Sequence, residues 1–357
     1  MTRLVLLGDG ESPHLLKWAR ALAGGVELYA ASTRGFAADF DAAVPPWRRL
    51  ALGTRPVAEG GNVGVLRVLP RLARWLRSVD ADWIHAHYLS SHGTLAWLAK
   101  RLCGLRAQLV GSAWGSDILV APERSAALRW LTSRVLRACA LTTSDSVHMA
   151  ARMRALGAAE VMVFPFGLDA LPPDDEPKSE HLLFANRSLE PLYAPQRVLD
   201  VFAAALQAWP DAQLVVANDG SLRGALQRVA ASASWGMRVR FVGRLDALAQ
   251  ERWYRSARWY VSVPSSDSVS VSVLEAMAHG CVPVLSDLPA NRELVRDGVN
   301  GVIAGDDAAT VAAAMRAIAP RAQQIAEVNR AWISEHAIFP QAVARFLARL
   351  GELERAR

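Results

Sequence analysis

PSSDSVSVSVLEAMAHGCVPVLSD, residues 264–287, is the stretch around which the rest of the chain is organised. A polar, serine-rich loop carries Asp267, and a short helix carries Glu275. A Gly-Cys-Val-Pro turn then leads into a buried strand, Val282 to Leu285, and out to Asp287. Seven residues separate the two carboxylates, which bracket the start of the helix. A helix start presents N–H groups without intrahelical partners and the positive end of the helix dipole, which suits an anionic ligand. A carboxylate beside it accepts hydrogen bonds from sugar or ribose hydroxyls. Two readings of these residues stay open at this level: a site for a phosphorylated, hydroxyl-rich molecule, and a capped surface helix between two loops.

Outward from this stretch, strands alternate with helices. Before it come HLLFANR, a helix at 195–208, AQLVVANDG, a helix at 222–233, VRFVGR, a helix at 246–256 and WYVSVPS. After it comes GVIAG. Alternation of this kind predicts a doubly wound α/β domain with a parallel sheet. Upstream, LPPDDEPKSE (171–180) is rich in proline and acid and has no periodicity, which reads as a linker. The first half repeats the alternation, opening with RLVLLG at 3–8, a GDGESPH loop, a helix capped by Ser12 and Pro13, and the strand VELYAAS. Gly8 and Gly10 allow close backbone approach to a ligand, but the full GxGxxG dinucleotide fingerprint is missing. Residues 1–169 thus form a first domain, 170–180 a linker and 181–337 a second domain. A last helix over 338–357 is long enough to pack back on the first.

A chain of 357 residues exceeds one ordinary core, and 52% hydrophobic with 21% charged residues is a globular composition. Three scattered cysteines form neither a disulfide framework nor a zinc spacing, which fits a reducing cytoplasm. Met1-Thr2-Arg3 runs straight into a short apolar strand, so no signal peptide is expected, and no apolar run is long enough to span a bilayer. The net charge of +6 is unevenly spread: residues 48–137 hold 14 Lys and Arg against 5 Asp and Glu. An anionic partner follows, either a membrane surface, a phosphorylated lipid or a nucleic acid. Within that region 64–79 reads as a helix, with Arg67, Arg71, Arg74 and Arg77 on one face, leucines on another and Trp75 beside them. Such a helix is either an ordinary amphipathic one or a surface for anionic lipid headgroups.

Polar groups at the C-terminal ends of parallel strands mark where open α/β sheets bind ligands. His87 and His92 follow the strand DWIHAHY, and Trp114 and Asp117 lie in WGSD after AQLVGSA. His85 and His87 are two apart and share a face. For each residue alone a structural hydrogen bond is the simpler reading; for the set, a binding cleft is.

The second half resembles glycosyltransferase family 4, the retaining group 1 enzymes of the GT-B fold. In that family an E-x7-E element stands in a context like EGFGLVxLEAMAxGxPVV; here Asp267 and Glu275 take the acidic positions, followed by AMAHGCVPVLSD. FANR at 184–187, ANDG at 217–220, FVGR at 241–244 and ANRELVRDGVNGVIAG at 290–305 follow in family order. IHAHY, SAWGSDIL and FPFGLD resemble the first-domain strand ends more loosely.

The resemblance implies two doubly wound Rossmann-like domains facing each other across a cleft. It implies retaining transfer of a sugar from a nucleotide-diphosphate sugar to a glycan or polyprenyl-linked acceptor, as in O-antigen, capsule or exopolysaccharide assembly. No cofactor and no metal are expected, and no nucleic-acid partner; the place is cytoplasmic, with peripheral contact to an anionic membrane. A non-catalytic nucleotide-sugar-binding or scaffold subunit and a nucleotide-sugar epimerase are the alternatives.

By the same resemblance, Glu275 binds the donor's ribose and Asp267 the transferred sugar. Backbone N–H groups over Val269, Ser270, Val271 and Ser272 meet the diphosphate, with Arg187 neutralising it and Gly10 approaching it. Gly243 and Arg244 line the base pocket, and His14, His87, Trp114 and Asp117 border the acceptor and sugar. Of these, Arg187, Asp267, Glu275, His87 and Asp117 are the candidates for the chemistry itself. Four departures stand out. Leu192 and Tyr193 occupy the place of a second diphosphate cation, for which Arg197 is a possible substitute. Asp267 is a methylene shorter than the usual Glu, Trp114 replaces a His, and Ser268-Val269-Ser270 replaces Gly-Phe-Gly.

Overall fold

A computed structural model describes residues 1–54, 67–173 and 177–356. The chain divides into two compact units, Met1–Phe164 with Pro340–Arg357, and Pro165–Phe339.

In the first unit the strands are β1 (Arg3–Gly10), β2 (Glu27–Phe36), β3 (Arg49–Ala51), β4 (Trp83–His87), β5 (Gln108–Ser112), β6 (Cys139–Ser144) and β7 (Val161–Val163). The helices between them are α1 (Pro13–Leu22), α2 (Leu69–Val79), α3 (Thr94–Cys103), α4 (Ser116–Leu119), α5 (Ala121–Arg124), α6 (Ala126–Ala138) and α7 (Val147–Ala155). The strands form one parallel sheet in the order β3-β2-β1-β4-β5-β6-β7. Leu4, Val5, Leu6 and Leu7 of β1 are fully buried because helices cover both faces of a parallel sheet. Each such side chain contributes about 1.5–3 kcal/mol by leaving water. Ser12 caps α1 by accepting from the His14 N–H, with Pro13 in the first turn.

The second unit holds β8 (Ser179–Ala185), β9 (Gln213–Ala217), β10 (Val239–Gly243), β11 (Ala257–Ser262), β12 (Val282–Ser286) and β13 (Val302–Ala304). Its helices are α8 (Pro195–Ala208), α9 (Arg223–Ser232), α10 (Ala247–Ser256), α11 (Val271–Ala278), α12 (Pro289–Leu294), α13 (Ala308–Ile318) and α14 (Ala322–His336). The sheet is again parallel, in the order β10-β9-β8-β11-β12-β13. Leu168 pairs with Ala337 and Phe339 through backbone hydrogen bonds of 2.8 and 2.7 Å, so the stretch after Phe164 belongs with this unit.

The last helix, α15 (Phe339–Arg355), packs on the first unit. Phe346 lies against Trp18 and stacks on His85, Arg349 forks onto Glu160 at 2.7 and 2.9 Å, and Glu354 accepts from the Trp83 indole at 2.6 Å.

The sheet orders place two switch points. In the first unit the order reverses between β1 and β4, whose ends carry Gly10 and His87. In the second it reverses between β8 and β11, which lead into Arg187 and into the loop of Asp267. Ligands of open α/β sheets bind outside such points.

One helix starts later than its periodicity predicts. α2 opens at Leu69 with Pro70 in its first turn, where a missing N–H costs nothing. Residues 64–66 of the expected helix lie outside the described residues. The four arginines are exposed, but Trp75 is half-buried against Tyr29 and the core. Trp75 is therefore turned toward the sheet and is not part of the exposed arginine face.

Candidate functional site

The second unit gathers its polar residues where β8 and β11 end. Arg187 donates from Nη2 to Asp267 Oδ2 at 2.5 Å and from Nη1 to Ser270 Oγ. Its guanidinium carbon lies 4.6 Å from the centre of the Tyr193 ring. Arg187 Nε is buried and, among the described residues, has no partner. Ser270 is the N-cap residue of α11, yet its side chain makes no capping bond and meets Arg187 instead. The first-turn N–H groups, at Val271 and Ser272, are those that a helix leaves without internal acceptors. Val269 is buried beneath them in the second core. Burial raises the Asp267 carboxyl above its ordinary range against the pull of Arg187. For Arg187 burial opposes the charge, but Asp267 and the nearby tyrosines outweigh it and the pKa rises.

Glu275 is the fifth residue of α11, just past its first turn. Its Oε2 accepts from the Tyr254 hydroxyl at 3.0 Å and from Gln250 Nε2 at 3.2 Å. The Tyr254 hydroxyl in turn accepts from Asn186 Nδ2 at 2.7 Å, and Asn186 Oδ1 accepts from Tyr260 at 2.6 Å. A buried relay of Tyr260, Asn186 and Tyr254 thus fixes Glu275 relative to the end of β8. Gly243 ends β10 at φ 74°, and its carbonyl accepts from the Asn218 N–H at 2.6 Å. The Arg223 guanidinium reaches within 3.7 Å of where a Gly243 side chain would begin, and Arg244 is exposed. Arg197 is tied to Asp306 and to the Ala304 carbonyl at the end of β13. That places it two strands from β11, and Arg187 is the cation beside Asp267.

In the first unit the Gly10 N–H donates to Ser32 Oγ at 2.8 Å. A side chain at Gly10 would start 2.5 Å from the Gly35 carbonyl, so only glycine fits. His14, His87 and Trp114 come together: Trp114 lies edge-on to His14 at 5.1 Å and to His87 at 5.9 Å. Trp114 is half-buried and His14 exposed, while His87 is 1% exposed beneath them. Neither ring nitrogen of His87 has a partner among the described residues. His85 shares its face, with ring centres 4.2 Å apart, and bonds Ser112 Oγ at 2.7 Å. His92 Nδ1 faces the His87 carbonyl at 2.7 Å, so Nδ1 carries the proton and Nε2 accepts from Thr33 Oγ1 at 3.0 Å.

Asp117, expected to border the substrate, is turned inward. It is fully buried, and its two oxygens accept from the backbone N–H groups of Leu89 at 2.7 Å and Trp114 at 2.9 Å. It therefore ties the turn after β4 to the turn after β5. Tyr88, at φ 67° in that first turn, is held in a backbone conformation that tyrosine seldom adopts.

Burial sets the charges here. It pushes His85 down to about 3, His92 down to about 4 and His87 well below the ordinary 6.5, and pushes Asp117 up to about 6. All three histidines are neutral in the folded protein near pH 7. Below pH 6.5 the unfolded chain takes up three protons there that the folded one refuses, while folded Asp117 takes up one that the unfolded chain lacks. Stability should fall from pH 6.5 toward pH 4, each proton of imbalance counting about 1.4 kcal/mol per pH unit. Thermal unfolding at a series of pH values checks this; a midpoint unchanged on acidification across that window contradicts it.

Three residues of these clusters are given no role by the sequence: Asn186, Tyr254 and Asn218. Asn186 and Asn218 have local cues, in FANR and ANDG; Tyr254 has none. Among the described residues no three His, Cys, Asp or Glu side chains are grouped so as to hold a metal ion.

The chain is similar to known proteins. Residues 179–320 match the family model of glycosyl transferases group 1, and residues 10–167 match that of the glycosyl transferase 4-like domain. The phosphatidyl-myo-inositol mannosyltransferase of Mycobacterium tuberculosis is 28% identical over 270 residues, 69% of this chain and 66% of that protein. The chain thus spans just under two thirds of that relative's length. Among solved structures, Anabaena HepE in complex with UDP-glucose superposes with a TM-score of 0.78 at 16% identity, over 99% of this chain and 100% of that one. The sucrose-phosphate synthase of Thermosynechococcus elongatus gives 0.75 at 16% identity, over 100% and 99%. With two parallel Rossmann-like sheets, the Asp267–Glu275 element at the second switch point and both family models matched in order along its length, the chain belongs to the group 1 glycosyltransferases of family 4, with the GT-B fold.

Proposed function

We propose that this protein is a retaining glycosyltransferase that moves a sugar from a nucleotide-diphosphate sugar to a glycan or lipid-linked acceptor in surface polysaccharide assembly. The carrying observation is the joining of Arg187, Asp267 and Ser270 at the start of α11. As the glycosidic bond breaks, negative charge develops on the leaving diphosphate. A fixed guanidinium and a helix N-terminus stabilise that charge without reorganising. Glu275, held by Tyr254 and Gln250, takes the ribose hydroxyls. Asp267 takes hydroxyls of the sugar. The acceptor attacks on the face that the diphosphate leaves, and a phosphate oxygen receives its proton, so retention needs no protein nucleophile and no metal. On the first unit the aromatic group of His14 and Trp114 over neutral His87 supports an acceptor sugar ring.

Thermal-shift screening against UDP-, GDP-, TDP- and ADP-sugars tests the reading, because a ligand of the folded state raises the midpoint by mass action. Stabilisation by one of the four is expected. A midpoint indifferent to all of them counts against donor binding.

The membrane contact is proposed for the neighbouring helices α2, α3 and α6. They expose Arg71, Arg74, Arg101 and Arg134, with Leu102 and Trp130 at 66% and 55% exposure. Arginine would draw the face to anionic headgroups while Trp130 and Leu102 enter the interface. No described helix is long and apolar enough to cross a membrane. Sedimentation with vesicles should show binding to anionic lipid that weakens several-fold in Trp130→Ala. Equal sedimentation with neutral and anionic vesicles removes this contact.

A further inference from the structure

We infer that Asp267 holds the position on Arg187 that the donor's diphosphate takes, so that the site favours a sugar nucleotide over the nucleoside diphosphate it leaves behind. This rests on the donor-site reading above. Both terminal nitrogens of Arg187 are engaged, Nη2 by Asp267 and Nη1 by Ser270. Each of these bonds uses one of the two hydrogens on its nitrogen, and a diphosphate that takes the Nη1–Nη2 edge as two parallel donors displaces them. Nε is buried and without a partner among the described residues.

Asp267 has a hold that survives the exchange. Its Oδ1 accepts from the Ser268 N–H at 3.0 Å, so the side chain stays anchored when Oδ2 leaves Arg187. Oδ2, on a side chain that is half-buried, then gains from a new donor. The hydroxyls of a transferred sugar supply it. A nucleoside diphosphate brings the anion but no hydroxyl for Oδ2, and so it drives the exchange poorly. The ion pair thus rewards the intact donor and loosens the product.

Tyr193 makes the competition possible. The position offers no second cation, and its ring lies over the Arg187 guanidinium instead, 4.6 Å from the ring centre to the carbon. An aromatic face steadies the guanidinium plane without adding charge. One positive group must then serve carboxylate and diphosphate in turn.

The test measures dissociation constants of UDP, GDP, TDP and ADP by calorimetry for the full chain and three variants. Asp267→Asn keeps the shape of the side chain and removes the competing charge. It should bind the preferred nucleoside diphosphate about tenfold tighter than the natural protein. Tyr193→Lys, which adds a cation, should also tighten binding and steepen its salt dependence, whereas Tyr193→Phe keeps the ring and should stay within about twofold. Circular dichroism and the unfolding midpoint establish that each variant is folded. If the natural protein binds one of the four and folded Asp267→Asn binds it equally or more weakly, the exchange is refuted while the donor site stands. If the natural protein binds none of them, the donor reading falls and this inference with it.

Discussion

Arg187→Ala is expected to lower kcat/KM for sugar transfer by about 10²–10³-fold, the effect of removing one preorganised group that meets developing charge. The loss should be larger than for a surface arginine because Arg187 is the cation joined to Asp267 and to the first residue of the α11 entry. Arg187→Lys should recover little, since a lysine cannot reproduce a planar fork reaching Asp267 and Ser270 together. A second consequence separates chemistry from folding. Without Arg187, Asp267 is a half-buried carboxylate that has lost its counterion, so the single variant should also be less stable. The double variant Arg187→Ala/Asp267→Asn should regain that stability and not the activity. Transfer assays with the donor found by thermal shift, run beside thermal unfolding, check both parts. Activity of Arg187→Ala within tenfold of the natural protein would remove Arg187 from the reaction.

The second large effect is on the fold of the first unit. Asp117→Asn should destabilise it by about 2–4 kcal/mol, because the amide nitrogen of asparagine would face one of the two backbone donors that both carboxylate oxygens now satisfy. A fully buried N–H is left without an acceptor, and the turns after β4 and β5 lose their common anchor. His87 ends β4 just before the first of these turns, and Trp114 lies on the second. The variant should therefore weaken acceptor use even where it stays folded, while donor binding, which depends on the second unit, is unchanged. Denaturant unfolding and nucleotide thermal shifts measure the two. A variant as stable as the natural protein would show that the Leu89 and Trp114 bonds contribute nothing.

Asp117 also shows how far the sequence could be read. Its position after a strand marked it as a candidate for a binding region, and its carboxylate instead holds the Leu89 and Trp114 backbone. Whether the carboxylate points outward or inward depends on Leu89, 28 residues upstream, whose N–H it accepts. The same holds for the donor side. Arg187 and Asp267 were legible as separate members of a pattern, but their contact across 80 residues of chain was not. Tyr193 read only as a missing lysine until its ring was found over Arg187. Tyr254 carried no signal, because an aromatic on a helix is ordinarily core, and its hydroxyl matters through Glu275 and Asn186.

By itself, the sequence determined the alternation of strands and helices, though not the start of α2. Apolar runs, caps such as Ser12 and first-turn prolines such as Pro195 act on neighbours within a few residues, so they are written locally. It also determined, through the 264–287 stretch, the family and the two-sheet architecture. Only the tertiary structure decided the strand orders that bring Gly10 beside the end of β4 and Arg187 beside the loop of Asp267. It alone decided that Asp117 is an anchor, that Trp75 faces the core and that Asp267 pairs with Arg187. These outcomes depend on partners brought together by sheet packing, and no local pattern specifies which of several distant groups will satisfy a buried polar atom.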